Sequence, residues 1–419
     1  MNAINPILDV GRPERSRMAA PLRVALFSGN YNYHMDGPVR ALNRLVAHLG
    51  HRGAAVMVFA PTTDTPACEA AGTLVPIPSI PAPGRPEYRL GLGLPAPVRA
   101  ALTAFAPNVI HLSAPDLSGY AALRYARRRG LPAVASFHTR FDTYLDYYGA
   151  GWLQPAVTAY LRHFYRQCRQ LYAPSASMAA ELSRAGMCAD IRIWGRGIDR
   201  AVFNPAHRDL TWRRSLGIAD GEPVIAFVGR VVMEKGLGAF ADAIDGLTAR
   251  GIAHRVLIVG DGPARPWLAA RLPQAVFVGF QRDQGLSRAY ASADIFFNPS
   301  CTETFGNVTA EAMASGLPSV CADATGSRSL VIHGETGFLV PPNRPAGYVE
   351  ALSMLATSTD LRGAFGTAAL ERSAAYDWDR VLDHVTGHYL EVLAAGDGDR
   401  VARPARLRPH EPALGETAA

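Results

Sequence analysis

Short apolar runs ending in glycine, proline or polar residues, each followed by apolar positions at helical spacing, recur along most of this chain. In the first half, LRVALFS (22–28), AVMVFAP (55–61), residues 109–112 and residues 133–137 read as buried strands. A loop, GNYNYHMDGP (29–38), and a helix carrying Val39, Leu42, Leu45, Val46 and Leu49 join the first two. In the second half, residues 226–228, 255–259, 275–278 and 293–297 read as strands. Strands alternating with helices predict parallel sheets, an α/β class of two Rossmann-like domains with ligands at the carboxyl ends of the strands. The proline-rich stretch 76–97 reads as a long surface loop, and residues 154–171 read as a helix. A terminal helix spans 375–393, with Val381, Val385, Tyr389 and Leu390 at helical spacing.

The most informative segment is NPSCTETFGNVTAEAMASGLP, residues 298–318. After a turn at Pro299 and Ser300, the spacing predicts a helix from about Gly306 to Ser315, stopped by Gly316 and Pro318. A helix N-terminus beside a strand end offers backbone N–H groups, around Phe305 to Val308, to an anion. Glu303 and Glu311, eight positions apart, flank that site. A phosphate needs no carboxylate beside it; a sugar attached to a phosphate does, because hydroxyls donate to carboxylates. Arg230 and Lys235 lie five apart at the mouth of the strand 226–228. Arginine clamps phosphate through two N–H groups, and lysine adds a compact charge. His138, in ASFHTRF (135–141), follows a strand and reads as a turn histidine bonded to backbone or as a functional residue.

GRVVMEKG (229–236), VGDGP (259–263) and ETFGNVTAE (303–311), in this order, resemble the retaining glycosyltransferases of family 4, and MASGLP (313–318) and GETGFLV (334–340) continue the match. WGRGID (194–199) is similar to the bacterial GDP-mannose-dependent lipid mannosyltransferases and plant-type sulfolipid synthases within that family. The resemblance covers roughly 22–393 and implies a GT-B fold, two Rossmann-like domains facing across a cleft. The acceptor-binding domain would span 21–203 with the returning helix 377–394, and the nucleotide-sugar domain 204–376. It implies catalytic roles for His138 and Glu303, and diphosphate contacts from Gly37, Arg230, Lys235, Asn307 and Val308. The donor sugar would meet Glu303, Thr304, Phe305 and Gly306; the ribose and base would meet Glu311, Gly260, Val278 and Phe280. Asp36 lies beside Gly37. Arg140 stands where many relatives carry Asp or Asn.

The implied reaction moves a hexose from a nucleotide diphosphate sugar to a hydroxyl of a lipid or glycan. GDP-mannose is the first choice of donor; UDP-glucose, UDP-glucuronate and UDP-sulfoquinovose are the alternatives. A non-hydrolysing sugar-nucleotide epimerase and a non-catalytic sugar-nucleotide-binding protein remain as other classes. No cofactor or metal is expected, because Asp-x-Asp runs occur only at 377–379 and 397–399, away from any strand end. An NAD site is not expected either, since the first turn lacks G-x-G-x-x-G and the second strand ends in Ala60-Pro61.

Length and composition suit this reading: 419 residues and 48% hydrophobic content allow two cores. Five cysteines without C-x-x-C point away from a disulfide frame and toward a reducing, cytoplasmic setting. No stretch approaches the ~18 apolar residues of a membrane span. The net charge of +6 fits anionic ligands or an anionic membrane surface; no nucleic-acid motif or long basic run is present. Tyr144, Tyr147, Tyr148, Trp152, Tyr160, Phe164 and Tyr165, interleaved with Arg162, His163, Arg166 and Arg169, suit either peripheral docking on the inner face of the cytoplasmic membrane or an ordinary amphipathic helix. The arms 1–20 and 395–419 read as disordered, and Met18 offers an alternative start.

Overall fold

A computed structural model describes residues 21–82, 85–138 and 151–395. The arms 1–20 and 396–419, Arg140, Tyr144, Tyr147 and Tyr148 lie outside the described residues. The first domain contains β1 (Arg23–Phe27), β2 (Ala55–Ala60), β3 (Thr73–Pro76), β4 (Ser79–Ala82), β5 (Arg85–Gly91), β6 (Val109–Leu112), β7 (Ala133–Ser136), β8 (Gln170–Ala173) and β9 (Ile191–Ile193). Seven of these form a sheet in the order β3-β2-β1-β6-β7-β8-β9, parallel throughout. The second domain contains β10 (Val224–Val228), β11 (Arg255–Val259), β12 (Val276–Gly279), β13 (Ile295–Asn298), β14 (Ser319–Ala322) and β15 (Gly337–Val340). They form a parallel sheet in the order β12-β11-β10-β13-β14-β15. Helices cover both faces of each sheet, so central strands such as VIAFV of β10 are apolar and buried at every position. This is the two-domain α/β architecture expected from the alternating pattern.

The helix Gly37–His51 buries Val39, Leu42, Leu45, Val46 and Leu49, the predicted row. Asp36 caps it, accepting from the Val39 N–H at 2.8 Å, and Pro38 needs no N–H in the first turn. The last helix, Trp378–Ala394, is capped by Asp377 and returns to the first domain. Leu382, Val385, Tyr389 and Val392 join a core that includes Leu26, Val46, Tyr172 and Trp194. The inward row therefore differs from the expected one: Leu390 is 43% exposed. The helix Gly37–His51 sets this rotation, for Asp383 reaches His48 at 3.0 Å and Arg52 at 2.6 Å.

The chain crosses between the domains twice, and the two crossings touch. The Ile198 N–H donates to the Tyr376 carbonyl at 2.7 Å. Gly197 lies against Trp378 so closely that a Cβ would fall 2.3 Å from its ring.

Two expectations are corrected. The stretch read as a surface loop over 76–97 holds an antiparallel ribbon of β4 and β5. A two-stranded ribbon leaves one edge of each strand unpaired, so prolines do not break it. The helix read over 154–171 ends at Tyr165, and Gln170–Ala173 becomes an inner strand, buried at every position. A short apolar run fits either state, and here burial between β7 and β9 decides it.

Replacing Leu382, 2% exposed, with alanine should destabilise the first domain by about 2–5 kcal/mol through lost burial and the cavity left behind. Urea unfolding followed by tryptophan fluorescence, with Trp194 in that core, measures the loss.

Candidate functional site

The loop between β13 and the helix Asn307–Ala314 is built as a rigid shelf. Gly306 takes φ 96°, a left-handed conformation that favours glycine, and it caps the helix without a side chain. The first-turn amides of Asn307 and Val308 are consequently not used by a capping side chain. The Gly326 N–H donates to the Glu303 carbonyl at 2.9 Å, and the ring of Phe305, 5% exposed, packs edge-on against Tyr376. From across the cleft the hydroxyl of Ser175 donates to the Thr304 carbonyl at 2.9 Å. Ser177 joins Ser329 at 2.9 Å, and Thr325 donates to Glu181 at 2.6 Å. The first domain thus holds the shelf from one side.

The predicted carboxylates take different partners. Glu303 accepts from Lys235 Nζ at 2.6 Å, both side chains about one-fifth exposed. Glu311 accepts from the Tyr290 hydroxyl at 2.9 Å, and burial pushes its carboxyl up to about 7 despite that bond and Arg40. Arg230 is more open, its guanidinium 3.5 Å from Glu234 and 59% exposed. Gly260, with φ 136°, lies under the Gly229 turn; a Cβ there would sit 1.9 Å from the Gly229 carbonyl oxygen. Gly260 therefore brings the β10 and β11 ends together. Val278 and Phe280 lie on and just after the edge strand β12, and Val278 packs against the same apolar cluster as Val308. Phe280 is 63% exposed, under the Arg282 guanidinium at 5.0 Å.

The first domain contributes Asp36, Gly37, His138 and Arg196. A Cβ on Gly37 would come 2.9 Å from the side-chain amide nitrogen of Asn307, so the two domains approach closely where the helix Gly37–His51 begins. His138 follows β7 at its carboxyl end. Its Nδ1 lies 2.8 Å from Arg196 Nη2 and its Nε2 2.8 Å from Ser136 Oγ. Burial, then the Arg196 charge and His111, hold His138 well below the ordinary histidine range. Arg196 is 5% exposed, donates to the Trp194 and Gly195 carbonyls, and stacks over the Trp194 ring at 5.3 Å. Burial lowers its pKa to about 10, with Asp36 pulling the other way.

The structure therefore brings together Glu303, Thr304, Phe305, Gly306, Asn307, Val308, Lys235, Gly37 and His138, with Val278 on the edge strand and Phe280 just beyond it. Sequence reasoning passed over Arg196 and Tyr290. The signal for Arg196 was a charged residue between two glycines directly after tryptophan.

Residues 35–202 match the family described as Glycosyltransferase Family 4, and residues 222–358 match Glycosyl transferases group 1. The chain is 36% identical over 377 residues to the GDP-mannose-dependent alpha-mannosyltransferase of Mycolicibacterium smegmatis, covering 89% of this chain and 98% of that one. It is 32% identical to the sulfoquinovosyl transferase SQD2 of Arabidopsis thaliana, covering 89% and 73%. Among solved structures, sucrose-phosphate synthase from Thermosynechococcus elongatus superposes with a TM-score of 0.72 at 20% identity, covering 89% of this chain and 100% of that one. WaaG, a glycosyltransferase of lipopolysaccharide biosynthesis, gives 0.65 at 18% identity, covering 87% and 99%. These two show the GT-B fold.

Glu311 makes stability depend on pH. Its folded pKa of about 7 lies above the ordinary 4.5, so the unfolded chain sheds the proton first and stability falls as pH rises between those values. Glu311→Gln should remove this part of the pH dependence, gaining on the order of 1–3 kcal/mol relative to wild type at pH 8 and little at pH 4. Urea titrations of both proteins at the two pH values test it.

Proposed function

Because the chain belongs to glycosyltransferase family 4, we propose that it transfers mannose from GDP-mannose to a hydroxyl of a membrane lipid or glycolipid, with retention at the anomeric carbon. One observation carries the reading: the helix N-terminus at Asn307 faces Gly37 across the cleft, with Lys235, Glu303 and His138 among the groups at the same place. The name of the mycolicibacterial relative supports GDP-mannose, and SQD2 keeps a UDP-sugar in view.

In this reading Arg230, Lys235 and the amides of Asn307 and Val308 take the donor diphosphate. They stabilise the charge that develops as the glycosidic bond breaks, without a metal. Lys235 is already paired with Glu303, so donor binding shares that cation between phosphate and carboxylate. Glu303 and Thr304 to Gly306 face the sugar, and Glu311 accepts from ribose hydroxyls. Gly260 supports the ribose side, and Val278 and Phe280 border the base. Retention follows if the acceptor hydroxyl attacks from the face that the diphosphate leaves. Both ring nitrogens of His138 are engaged, so its part in transfer runs through Arg196.

The acceptor reading carries a membrane contact, peripheral and on the inner face of the cytoplasmic membrane. No helix among the described residues is long and apolar enough to cross a membrane. Arg162 and Arg166 each donate one N–H, to the Ala185 and Gly186 carbonyls, and Arg166 stays exposed. A second basic surface lies on the first domain. Arg99, Arg124, Arg128 and Arg129 line one groove with Leu94 and Tyr125. Leu92 and Leu117 of the same domain are 51% and 65% exposed. Arginines with exposed leucines suit an anionic interface, about 1 kcal/mol per basic residue.

A thermal-shift screen over nucleotide sugars should give the largest rise with GDP-mannose, and Lys235→Ala should lose about 1.5–3 kcal/mol of donor affinity. Transfer should persist in EDTA. A larger rise with UDP-glucose, or a strict need for Mn²⁺ or Mg²⁺, would replace the corresponding part of the reading.

Wild type should pellet with anionic vesicles in a salt-sensitive way and not with neutral ones. The Arg99→Ser/Arg124→Ser/Arg128→Ser variant should lose most of this pelleting. Equal pelleting of the two proteins would remove the surface.

A further inference from the structure

A row of buried polar side chains runs from the cleft to the last helix. Arg196 Nη2 lies 2.8 Å from His138 Nδ1, and His138 Nε2 lies 2.8 Å from Ser136 Oγ. Ser136 Oγ lies 3.0 Å from His111 Nε2, and His111 Nδ1 lies 2.5 Å from the Tyr389 hydroxyl. Ser136 is 1% exposed, and His111 and Tyr389 are fully buried. The rings of Tyr172, Trp194 and Tyr389 surround His111 with centroids within 5.8 Å.

One set of directions satisfies every bond in the row. A guanidinium has no acceptor, so the Arg196 bond forms only when His138 Nδ1 carries the lone pair. The neutral ring then has its hydrogen on Nε2 and donates to Ser136 Oγ. Ser136 has no other acceptor in reach among the described residues, so its own hydrogen goes to His111 Nε2. His111 is left with hydrogen on Nδ1, which it donates to Tyr389. Burial keeps both rings neutral, with His111 held down to about 3 and His138 also well below its ordinary value. A purely apolar row of the same shape would pack here without leaving polar groups to satisfy. What the polar row adds is a single tautomer at its cleft end.

We propose that Ser136, His111 and Tyr389 are positioning residues that fix His138 as the Nε2–H tautomer, so that its Nδ1 lone pair holds the Arg196 guanidinium at the cleft for the nucleotide-sugar donor. Three Arg196 bonds go to protein, to Trp194, Gly195 and His138, which leaves two of the five N–H groups of a guanidinium for a donor oxygen. Gly195, the residue before it, would place a Cβ 3.9 Å from the Phe305 ring, which puts Arg196 beside the shelf. The assignment of a donor to this cleft rests on the proposed function. The tautomer does not.

The test uses full-length protein labelled with ¹⁵N-histidine, as wild type, Tyr389→Phe and Ser136→Ala. Wild-type His138 should show an unprotonated Nδ1 and a protonated Nε2, and both variants should show mixed tautomers. In the transfer assay, Tyr389→Phe and Arg196→Ala should each lower turnover roughly tenfold, the size of one lost hydrogen bond. Their double variant should lose little more, because both act through one contact. Arg196→Lys should recover only part of the loss, since charge returns without the planar fork. An unchanged His138 tautomer in both variants, or additive losses in the double variant, would overturn the proposal. If wild type transfers no sugar at all, the proposed function fails while the nitrogen spectrum still judges the positioning row.

Discussion

The contact on which the rest of the structure depends is the meeting of the two interdomain crossings. The chain leaves the first domain through Trp194 to Asp199 and returns through Tyr376 to Trp378. Ile198 bonds to Tyr376, and Gly197 has no Cβ where Trp378 needs the space. This proximity lets one short segment do three jobs. Trp194 is buried in the first-domain core, Arg196 turns toward the cleft, and Trp378 begins the helix that closes that core. Rotation of one domain against the other must bend the backbone here, because elsewhere the contacts between them are side-chain hydroxyls that break and form readily.

Charge in the cleft is balanced before any ligand arrives. Lys235 is neutralised by Glu303, Arg230 by Glu234, and Arg196 feels Asp36. A half-buried ion pair contributes little to stability in itself, since desolvation offsets most of the attraction. In the proposed reaction its value is that an arriving diphosphate would exchange partners with charges already in place, with little reorganisation. Glu311 follows a different rule. Burial holds it near neutrality against the opposing pull of a tyrosine hydroxyl, so its charge appears only as pH approaches 7.

Much of the fold was legible because the parallel sheets are covered on both faces. Runs such as 55–60, 224–228 and 295–297 must then be apolar throughout, and such runs stand out. The shelf was legible for a local reason: the glycine, the helix start and the two glutamates lie within nine consecutive residues, 303–311. What escaped depends on neighbours far away in the chain. Gln170–Ala173 is a strand because β7 and β9 flank it, while its own sequence continues a helical spacing. The ribbon of β4 and β5 is held by pairing across its turn, which proline content conceals. His111 and Tyr389 lie 278 positions apart, so no window of sequence contains their contact.

The return of the last helix also bears on how the protein is made. A ribosome delivers the seven-stranded sheet early, but Leu382, Val385 and Tyr389 follow only after the whole second domain has emerged. At about 5–20 residues per second, roughly 10–40 s separate Ile193 from the final helix. During that interval Leu26, Val46 and Tyr172 lack part of their cover, while the second domain, whose sheet is contiguous in sequence, emerges whole. The first domain to be synthesised is thus the last to be completed, and translation speed sets how long its unfinished apolar face is open to other chains.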